Sequence, residues 1–204
     1  PYSFTIHGPD IFFEPHHWRI DEKSERAAFV ACISDFARSQ LMCFANQIHW
    51  DRFHVIHCGV DPSRYTPAPH DAQNLLFVGR LAGVKGVPVL LRALALLRHT
   101  HPDLRLTLIG DGPERAAIDA YARQLDMHTF ITFMGYRSQA EVAEELSRTD
   151  LFVLPSFAEG VPVVLMEAMA SGVPVVTTRI AGVSELVRDN AGTLVAPGDA
   201  DALA

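Results

Sequence analysis

Short apolar runs alternate with longer amphipathic stretches along most of this chain. The runs are predicted to be β-strands covered on both faces, because many are β-branched or aromatic and are apolar at consecutive positions. They lie at Tyr2–Ile6, Phe29–Ile33, Phe53–His57, Asn74–Val78, Leu104–Ile109, Phe130–Phe133, Leu151–Leu154, Val173–Thr177 and Gly192–Val195. The stretches between them predict helices at Asp35–Gln47, Gly86–His99, Pro113–Leu125, Ser138–Ser147 and Val164–Ser171. This alternation predicts βαβ units and an α/β fold with a parallel sheet.

A proline-rich segment divides the chain. Residues 59–70 contain Pro62, Pro67 and Pro69 and show no apolar periodicity, so we interpret them as a linker. Residues 1–58 supply about two βα units, too few for an independent sheet domain. Residues 71–204 supply six predicted strands, enough for a doubly wound Rossmann-type domain. Because Pro1 directly precedes a strand and the last residues predict one turn of helix, we expect the chain to be a fragment.

Composition and charge exclude several classes of protein. Of the 204 residues, 49% are hydrophobic and 20% are charged, which is typical of a globular protein and not of a disordered or collagen-like one. No apolar run approaches the roughly 18 residues of a membrane-spanning helix. The net charge of −7 argues against a nucleic-acid-binding protein. Cys32, Cys43 and Cys58 share no CxxC spacing, which predicts buried free thiols in a reducing compartment.

The residues that follow strands are the first candidates for a site, because open α/β sheets bind ligands at the carboxyl ends of their strands. After Asn74–Val78, the cations Arg80 and Lys85 flank a glycine-rich turn that opens a helix. Backbone N–H groups, the helix dipole and two positive charges would suit an anion there. The turn matches neither a Walker A loop nor a GxGxxG motif, and an ordinary solvated turn remains an equal alternative.

Two carboxylates, Glu159 and Glu167, stand eight residues apart in an otherwise apolar stretch. The first is predicted to lie in a loop and the second inside a helix. Such carboxylates must be paired, solvated in a cleft or bound to ligand hydroxyls, and the hydroxyl pairs of sugars and ribose are natural partners. A helix cap at Glu159 and a salt bridge at Glu167 form the structural alternative.

A histidine also follows a predicted strand. His7, at the end of Tyr2–Ile6, can serve as an acid, a base or a hydrogen-bond donor, although a single histidine is more often structural. The remaining histidines fit no standard zinc spacing, so no metal site is expected.

Taken in order, these segments resemble the family 4 glycosyltransferases, which are retaining enzymes of the GT-B architecture. The resemblance covers nearly the whole chain and depends above all on the E-x7-E pair Glu159/Glu167. The run from Glu159 through Glu167 looks like that of transferases of bacterial exopolysaccharide and capsule assembly. The commoner family form has Phe-Gly-Leu after the first Glu-Gly, so the donor sugar is left open. The other matching segments are Phe4–Gly8, Ile33–Asp35, Val55–Asp61, Val78–Leu81 with Lys85-Gly86, Ile109–Pro113 and Leu165–Ala170.

The resemblance implies catalytic roles for two residues. His7 would reach the transferred sugar and its phosphate from the other domain, and Glu159 would face the sugar. The backbone beside Glu159 would line the same part of the site, at Gly160, Val161 and Pro162. No metal is implied, because two fixed cations and helix N-termini can stabilise the charge of a leaving diphosphate.

The resemblance also implies a donor-binding set. Its members would hold the diphosphate (Gly79, Arg80 and Lys85), the ribose hydroxyls (Glu167) and the base (Gly135 and Tyr136). A UDP-sugar is expected in preference to a GDP-sugar, and no cofactor is expected.

The implied fold is of the GT-B type, with a complete or nearly complete C-terminal Rossmann-like domain. Residues 1–58 would be the C-terminal part of the N-terminal, acceptor-side domain, residues 59–70 the interdomain linker, and residues 71–204 the donor domain, truncated at its C-terminal end. The implied function is retaining transfer of a hexosyl group from a nucleoside-diphosphate-sugar to a glycan or lipid-linked acceptor in polysaccharide biosynthesis. The fragment alone is expected to be inactive. A sugar-nucleotide epimerase of the same fold and a non-catalytic nucleotide-sugar binding module stay as alternatives.

Nucleotide sugars and free thiols point to the cytoplasm as the expected compartment. Peripheral contact with the inner membrane through a missing N-terminal part is also expected of such enzymes, and nucleic acid is not an expected partner.

Overall fold

The computed structural model describes residues 2–8, 14–67, 73–188 and 191–204, which divide into two compact units. The first unit comprises Pro1–Gly59, Ala158–Pro162 and Ile180–Leu186. The second comprises Val60–Phe157, Val163–Arg179 and Val187–Ala204. The assignment of an acceptor side to residues 1–58 and a donor side to residues 71–204 concerns function, and it stays a prediction.

The first unit contains a parallel sheet of three strands in the order β1-β2-β3. These strands are β1 (Tyr2–Ile6), β2 (Ala27–Cys32) and β3 (Phe53–Val55). All three were expected, but β2 begins two residues before the predicted start and β3 ends two residues before the predicted end. Ile6 of β1, Val30 of β2 and Leu41, which follows β2, are almost completely buried and belong to one apolar cluster. The unit therefore has an apolar core of its own.

Among the described residues of the first unit, two helices connect the strands, and a third, α7 (Val183–Leu186), comes from a later part of the chain. α1 (Ile20–Arg26) precedes β2, and α2 (Asp35–Phe44) follows it. α2 is shorter than predicted, because the chain leaves the helix after Phe44 and forms a 3-10 helix at Gln47–Arg52.

The start of α2 is held by two side chains. Ser34 is the N-cap, as its sequence position predicts, and its Oγ accepts a hydrogen bond from the Ala37 N–H at 3.0 Å. The two carboxylate oxygens of Glu185 accept from the N–H groups of Asp35 and Phe36, each at 2.7 Å. Since the first N–H groups of a helix have no intrahelical partner, these contacts satisfy three of them.

The second unit contains a parallel sheet of six strands in the order β6-β5-β4-β7-β8-β9. Counted from its own first strand, this order is 3-2-1-4-5-6, the order of doubly wound Rossmann folds. The order reverses between β4 and β7, and ligands of such sheets bind outside the carboxyl ends of the strands near this point. The six strands are β4 (Asn74–Val78), β5 (Arg105–Ile109), β6 (Ile131–Gly135), β7 (Leu151–Leu154), β8 (Val175–Thr178) and β9 (Thr193–Val195).

The helices of the second unit follow the predicted alternation with the strands. They are α3 (Val87–Leu97), α4 (Arg115–Gln124), α5 (Gln139–Leu146), α6 (Val163–Ala170) and α8 (Ala200–Leu203). Pro113 was predicted in the first turn of a helix, and this is wrong, because α4 begins two residues later, after the N-cap Glu114.

The three cysteines are free, but they differ in exposure. Cys32 is buried, and its burial raises the pKa of its thiol to about 11. Cys58 is half-buried and Cys43 is exposed, so the expectation of buried thiols is correct for Cys32 alone. None of the described helices is long and apolar enough to cross a membrane.

Candidate functional site

The loops that follow β4, β5 and β6 are joined by main-chain hydrogen bonds. The Gly79 N–H donates to the Ile109 carbonyl at 2.9 Å, and the Gly110 N–H donates to the Gly135 carbonyl at 2.8 Å. The three loops therefore form one continuous frame at the carboxyl ends of neighbouring strands.

A cavity of about 430 Å³ opens in this frame. Each of the three loops contributes to its lining: Gly79 and Arg80 after β4, Gly110 and Asp111 after β5, and Tyr136 and Arg137 after β6. Tyr136 is 82% exposed. Three residues predicted for donor binding, Gly79, Arg80 and Tyr136, thus lie at one cavity, and Gly135 directly precedes Tyr136 at the end of β6.

The charges at the cavity favour an anion. Arg137 makes two local contacts. Its Nη1 donates to the Tyr136 carbonyl at 3.0 Å, and its Nε lies 3.7 Å from Glu141 Oε1. Arg80 is exposed, and across residues 2–8, 14–67, 73–188 and 191–204 no acidic side chain pairs with its guanidinium. Asp111 contributes one negative charge to the lining. Arg80 therefore presents a cation at the cavity that a ligand can use.

Lys85 and Gly86 lie between this loop and α3. Lys85 ends a 3-10 turn at Gly83–Lys85, and a Cβ atom placed on Gly79 would lie 3.9 Å from Lys85 Cδ. Gly86 is the N-cap of α3 and has φ +65°. A Cβ atom there would lie 2.1 Å from the Pro155 carbonyl oxygen, so glycine is required for both conformation and space. The two cations, the glycine turn and the start of a helix are together, as the sequence predicts.

Glu167 is held by a hydrogen-bond network that the sequence did not reveal. It lies on α6, and its Oε1 accepts hydrogen bonds from the Tyr65 hydroxyl at 2.9 Å and from Gln139 Nε2 at 3.0 Å. Arg64 Nη1 donates to Gln139 Oε1 at 3.2 Å. No Lys, Arg or His of the described ranges forms an ion pair with Glu167, so the alternative of a salt bridge is wrong. Burial, and then the hydrogen bond to Glu167, raise the pKa of the Tyr65 hydroxyl.

In the first unit, His7 lies beside the loop that carries Glu159. His7 is exposed directly after β1, and its Nδ1 lies 3.7 Å from Cys58 Sγ. A Cβ atom placed on Gly160 would lie 2.0 Å from the His7 carbonyl oxygen, so the two backbones are in close contact and any larger residue would separate them. Glu159 itself is 9% exposed, in a loop as predicted. Val161 and Pro162 follow in the same loop before α6 begins.

A family model covers most of the second unit. It is described as "Glycosyl transferases group 1", and it matches residues 63–204. The chain belongs to this family. The match to glycosyl transferases group 1 includes all six strands from β4 to β9 and the donor-binding candidates from Gly79 to Glu167. The resemblance to family 4 glycosyltransferases is therefore confirmed.

Two relatives of this group 1 chain have names from polysaccharide biosynthesis. The amylovoran biosynthesis glycosyltransferase AmsK of Erwinia amylovora is 33% identical over 165 residues, which are 76% of this chain and 40% of that protein. The putative teichuronic acid biosynthesis glycosyltransferase TuaC of Bacillus subtilis is 30% identical over 218 residues, covering 100% of this chain and 53% of that protein. The chain thus spans about half of the length of these relatives, or less.

A solved structure confirms the fold. The structure of Alr3699/HepE of Anabaena in complex with UDP and glucose superposes with a TM-score of 0.86 at 24% identity, covering 100% of this chain and 60% of that one. The predicted α/β fold of the GT-B type is therefore correct for this group 1 chain.

Several residues of the site were missed from the sequence. Arg137 follows β6 just as Arg80 follows β4, so the rule that found Arg80 could also have found Arg137. Asp111 lies two residues after β5, inside the matching segment Ile109–Pro113, but no role was assigned to it. Tyr65 lay in the predicted linker and Gln139 in a helix, and neither position carries a sequence signal for contact with Glu167.

Proposed function

We propose that this group 1 glycosyltransferase binds a nucleoside-diphosphate sugar at the cavity after β4, β5 and β6. The observation that carries the proposal is Arg80, an exposed cation at the cavity with no acidic partner among the described residues. Lys85 and the N-terminus of the 11-residue helix α3 lie close by, and helix N-termini attract anions. A diphosphate matches this combination of charge and dipole.

The remaining donor contacts follow from the same proposal. Glu167 would bind the ribose hydroxyls, because a carboxylate is an acceptor for paired hydroxyl groups. The base would lie near Gly135 and Tyr136, whose exposed ring offers a surface for stacking. We propose a UDP-sugar as the donor, bound without a metal ion.

The proposed reaction is transfer of the sugar with retention, to a glycan or lipid-linked acceptor in polysaccharide biosynthesis. The names of AmsK and TuaC support this class of product. Loss of the diphosphate builds negative charge on the leaving group, which Arg80 and Lys85 would stabilise where it develops. The anomeric carbon becomes positively charged, as in glycoside hydrolysis, and Glu159 would stabilise it while His7 contacts the sugar and its phosphate.

The same proposal places the protein in the cytoplasm, where nucleotide sugars are made. Peripheral association with the inner membrane belongs to this proposal too, since lipid-linked acceptors are found there.

Calorimetric titration of the 204-residue chain with UDP, GDP and ADP in EDTA tests the diphosphate site. We expect one nucleotide to bind, and Arg80→Ala to weaken it about 10- to 100-fold, the range for loss of a charge-assisted hydrogen bond. Arg98→Ala is the matched control, because Arg98 is exposed at the other end of α3 and its loss changes the net charge equally. Equal affinities of the two variants would contradict the proposal, and so would binding that requires a divalent metal.

A further inference from the structure

The carboxylate of Glu167 is held on one side only. Both of its hydrogen bonds, from Tyr65 and Gln139, fall on Oε1. Within the described ranges no other side chain donates to its second oxygen, Oε2. We propose that Tyr65 and Gln139 are positioning residues that fix this carboxylate so that Oε2 receives the ribose hydroxyls of the donor. This inference rests on the proposed function, in which Glu167 binds ribose.

The network fixes the direction of each donor. The Gln139 side chain carries an acceptor and a donor on the same amide, so it could face Glu167 with either one. Arg64 Nη1 donates to Gln139 Oε1 at 3.2 Å, and this contact turns Nε2 toward Glu167. Tyr65 has a single hydroxyl hydrogen and gives it to the same carboxylate oxygen. Two donors from different parts of the chain therefore define where Oε1 lies, and the planar carboxylate then defines where Oε2 lies.

The choice of neutral donors matters for binding. A cation paired with Glu167 would compete with ribose for both carboxylate oxygens, because Arg and Lys bind carboxylates strongly and often through two atoms. A hydroxyl and an amide satisfy one oxygen and leave the carboxylate with its full negative charge. Arg64, the nearby cation, contacts Gln139 and not Glu167 in this network.

A purely structural role for the same contacts makes a different prediction. Tyr65 and Glu167 are each 6% exposed, so their hydrogen bond also ties residues 60–67 to α6. If that were its whole purpose, its loss would lower stability and weaken all nucleotides alike. A positioning role instead weakens only ligands that carry ribose hydroxyls. The ratio of the affinities for nucleotides with and without these hydroxyls therefore distinguishes a positioning role from a purely structural one.

The test measures Kd for UDP, GDP and ADP, each beside its 2′,3′-dideoxy form, with the 204-residue chain. The variants are Tyr65→Phe, which removes one hydroxyl, and Gln139→Met, which keeps the side-chain length and removes the amide. Gln139 is exposed, so its variant keeps the test valid if Tyr65→Phe fails to fold. Tyr121→Phe on α4 is the control, since it makes the same chemical change away from Glu167. A thermal melt of every variant accompanies the titrations.

We expect the unchanged chain to prefer the ribose form, because a site built to bind hydroxyls leaves polar groups unpaired when they are missing. Each variant should reduce this preference about tenfold, the effect of losing one hydrogen bond to a charged group, and should leave the dideoxy affinity unchanged. Tyr121→Phe should behave as the unchanged chain. An equal loss for both ligand forms, or an unchanged preference, would overturn the inference.

Two further outcomes separate this inference from the proposed function. If the chain binds a diphosphate through Arg80 but shows no preference for ribose, the positioning role is wrong and the diphosphate site stands. If the chain binds none of the nucleotides, both are wrong.

Discussion

Replacement of Gly86 by alanine is expected to destabilise the second unit strongly. Gly86 has φ +65°, in the left-handed region, and it is the N-cap of α3. Its missing side chain also lets the turn approach the loop after β7, because a Cβ atom would lie 2.1 Å from the Pro155 carbonyl oxygen. That oxygen belongs to the main chain, so the overlap cannot be relieved by turning a side chain.

The structure gives the size of the effect in two parts. An L-residue in the left-handed conformation costs about 1–2 kcal/mol. The forced movement of a packed loop costs about 1–3 kcal/mol more, as in other overpacked sites. The sum is about 2–5 kcal/mol, which corresponds to a fall in Tm of about 4–20 °C for a chain of this length.

Two other glycines of the chain allow the conformational cost and the cost of the overlap to be measured separately. Gly135 has φ +70° but nothing within 4 Å of an added Cβ atom, so Gly135→Ala should show the conformational cost alone. Gly59 also has nothing within 4 Å and lies outside the left-handed region, so Gly59→Ala should leave Tm nearly unchanged. Thermal unfolding followed by circular dichroism, with the three variants side by side, measures the series.

The expected order of Tm is Gly59→Ala highest, then Gly135→Ala, then Gly86→Ala. A Gly86→Ala variant that melts within about 2 °C of Gly59→Ala would refute the reasoning, because the predicted loss is at least twice that. Equal losses for Gly86→Ala and Gly135→Ala would show that the loop after β7 moves aside without cost.

Two further predictions concern the first unit. Ser34→Ala should lower the free energy of unfolding by about 1 kcal/mol, because it removes the N-cap of α2, whereas Ser34→Asp keeps a capping oxygen and should lose much less. Urea titration measures the free energy of unfolding of both variants, and equal losses would contradict a capping role. Cys32 has a folded-state pKa of about 11, raised from 9.0 by burial, so the unfolded state loses its thiol proton first and stability should fall as pH rises from 9 toward 11. Cys32→Ala should remove this part of the slope in urea titrations over that range, and an unchanged slope would show that the thiol does not cause it.

The sheets could be predicted because their strands carry the signal locally. Leu75, Leu76 and Phe77 are consecutive and buried, as strands covered on both faces require, and the predicted bounds of β4 are exact. α1 was missed because six of its seven residues are polar or charged, so it has no apolar periodicity. Its polar Ser24 is nevertheless buried and donates to the Ile20 carbonyl one turn earlier in the same helix, which satisfies its hydroxyl without an apolar pattern in the sequence.

The candidate site, like the fold, contains residues that could be predicted from the sequence and residues that could not. Arg80 could be predicted because it lies two residues after β4, where chain order alone decides which edge of the sheet a residue reaches, whereas Tyr136 was expected only from the family resemblance. The partners of Glu167 could not, because Tyr65 is 102 positions away from it and Gln139 is 28. Contacts at such separations depend on how the elements pack, and periodicity carries no information about them.

The frame around the cavity consists of main-chain groups, and this separates its geometry from its chemistry. The Gly79 N–H donates to the Ile109 carbonyl and the Gly110 N–H donates to the Gly135 carbonyl, so no side chain takes part in these two contacts. The side chains at positions 136 and 137 project from this frame without being needed to hold it. If the proposed donor binds here, substitutions at those two positions should change the preferred ligand while the spacing of the loops is inherited intact, so new specificities would arise in single steps.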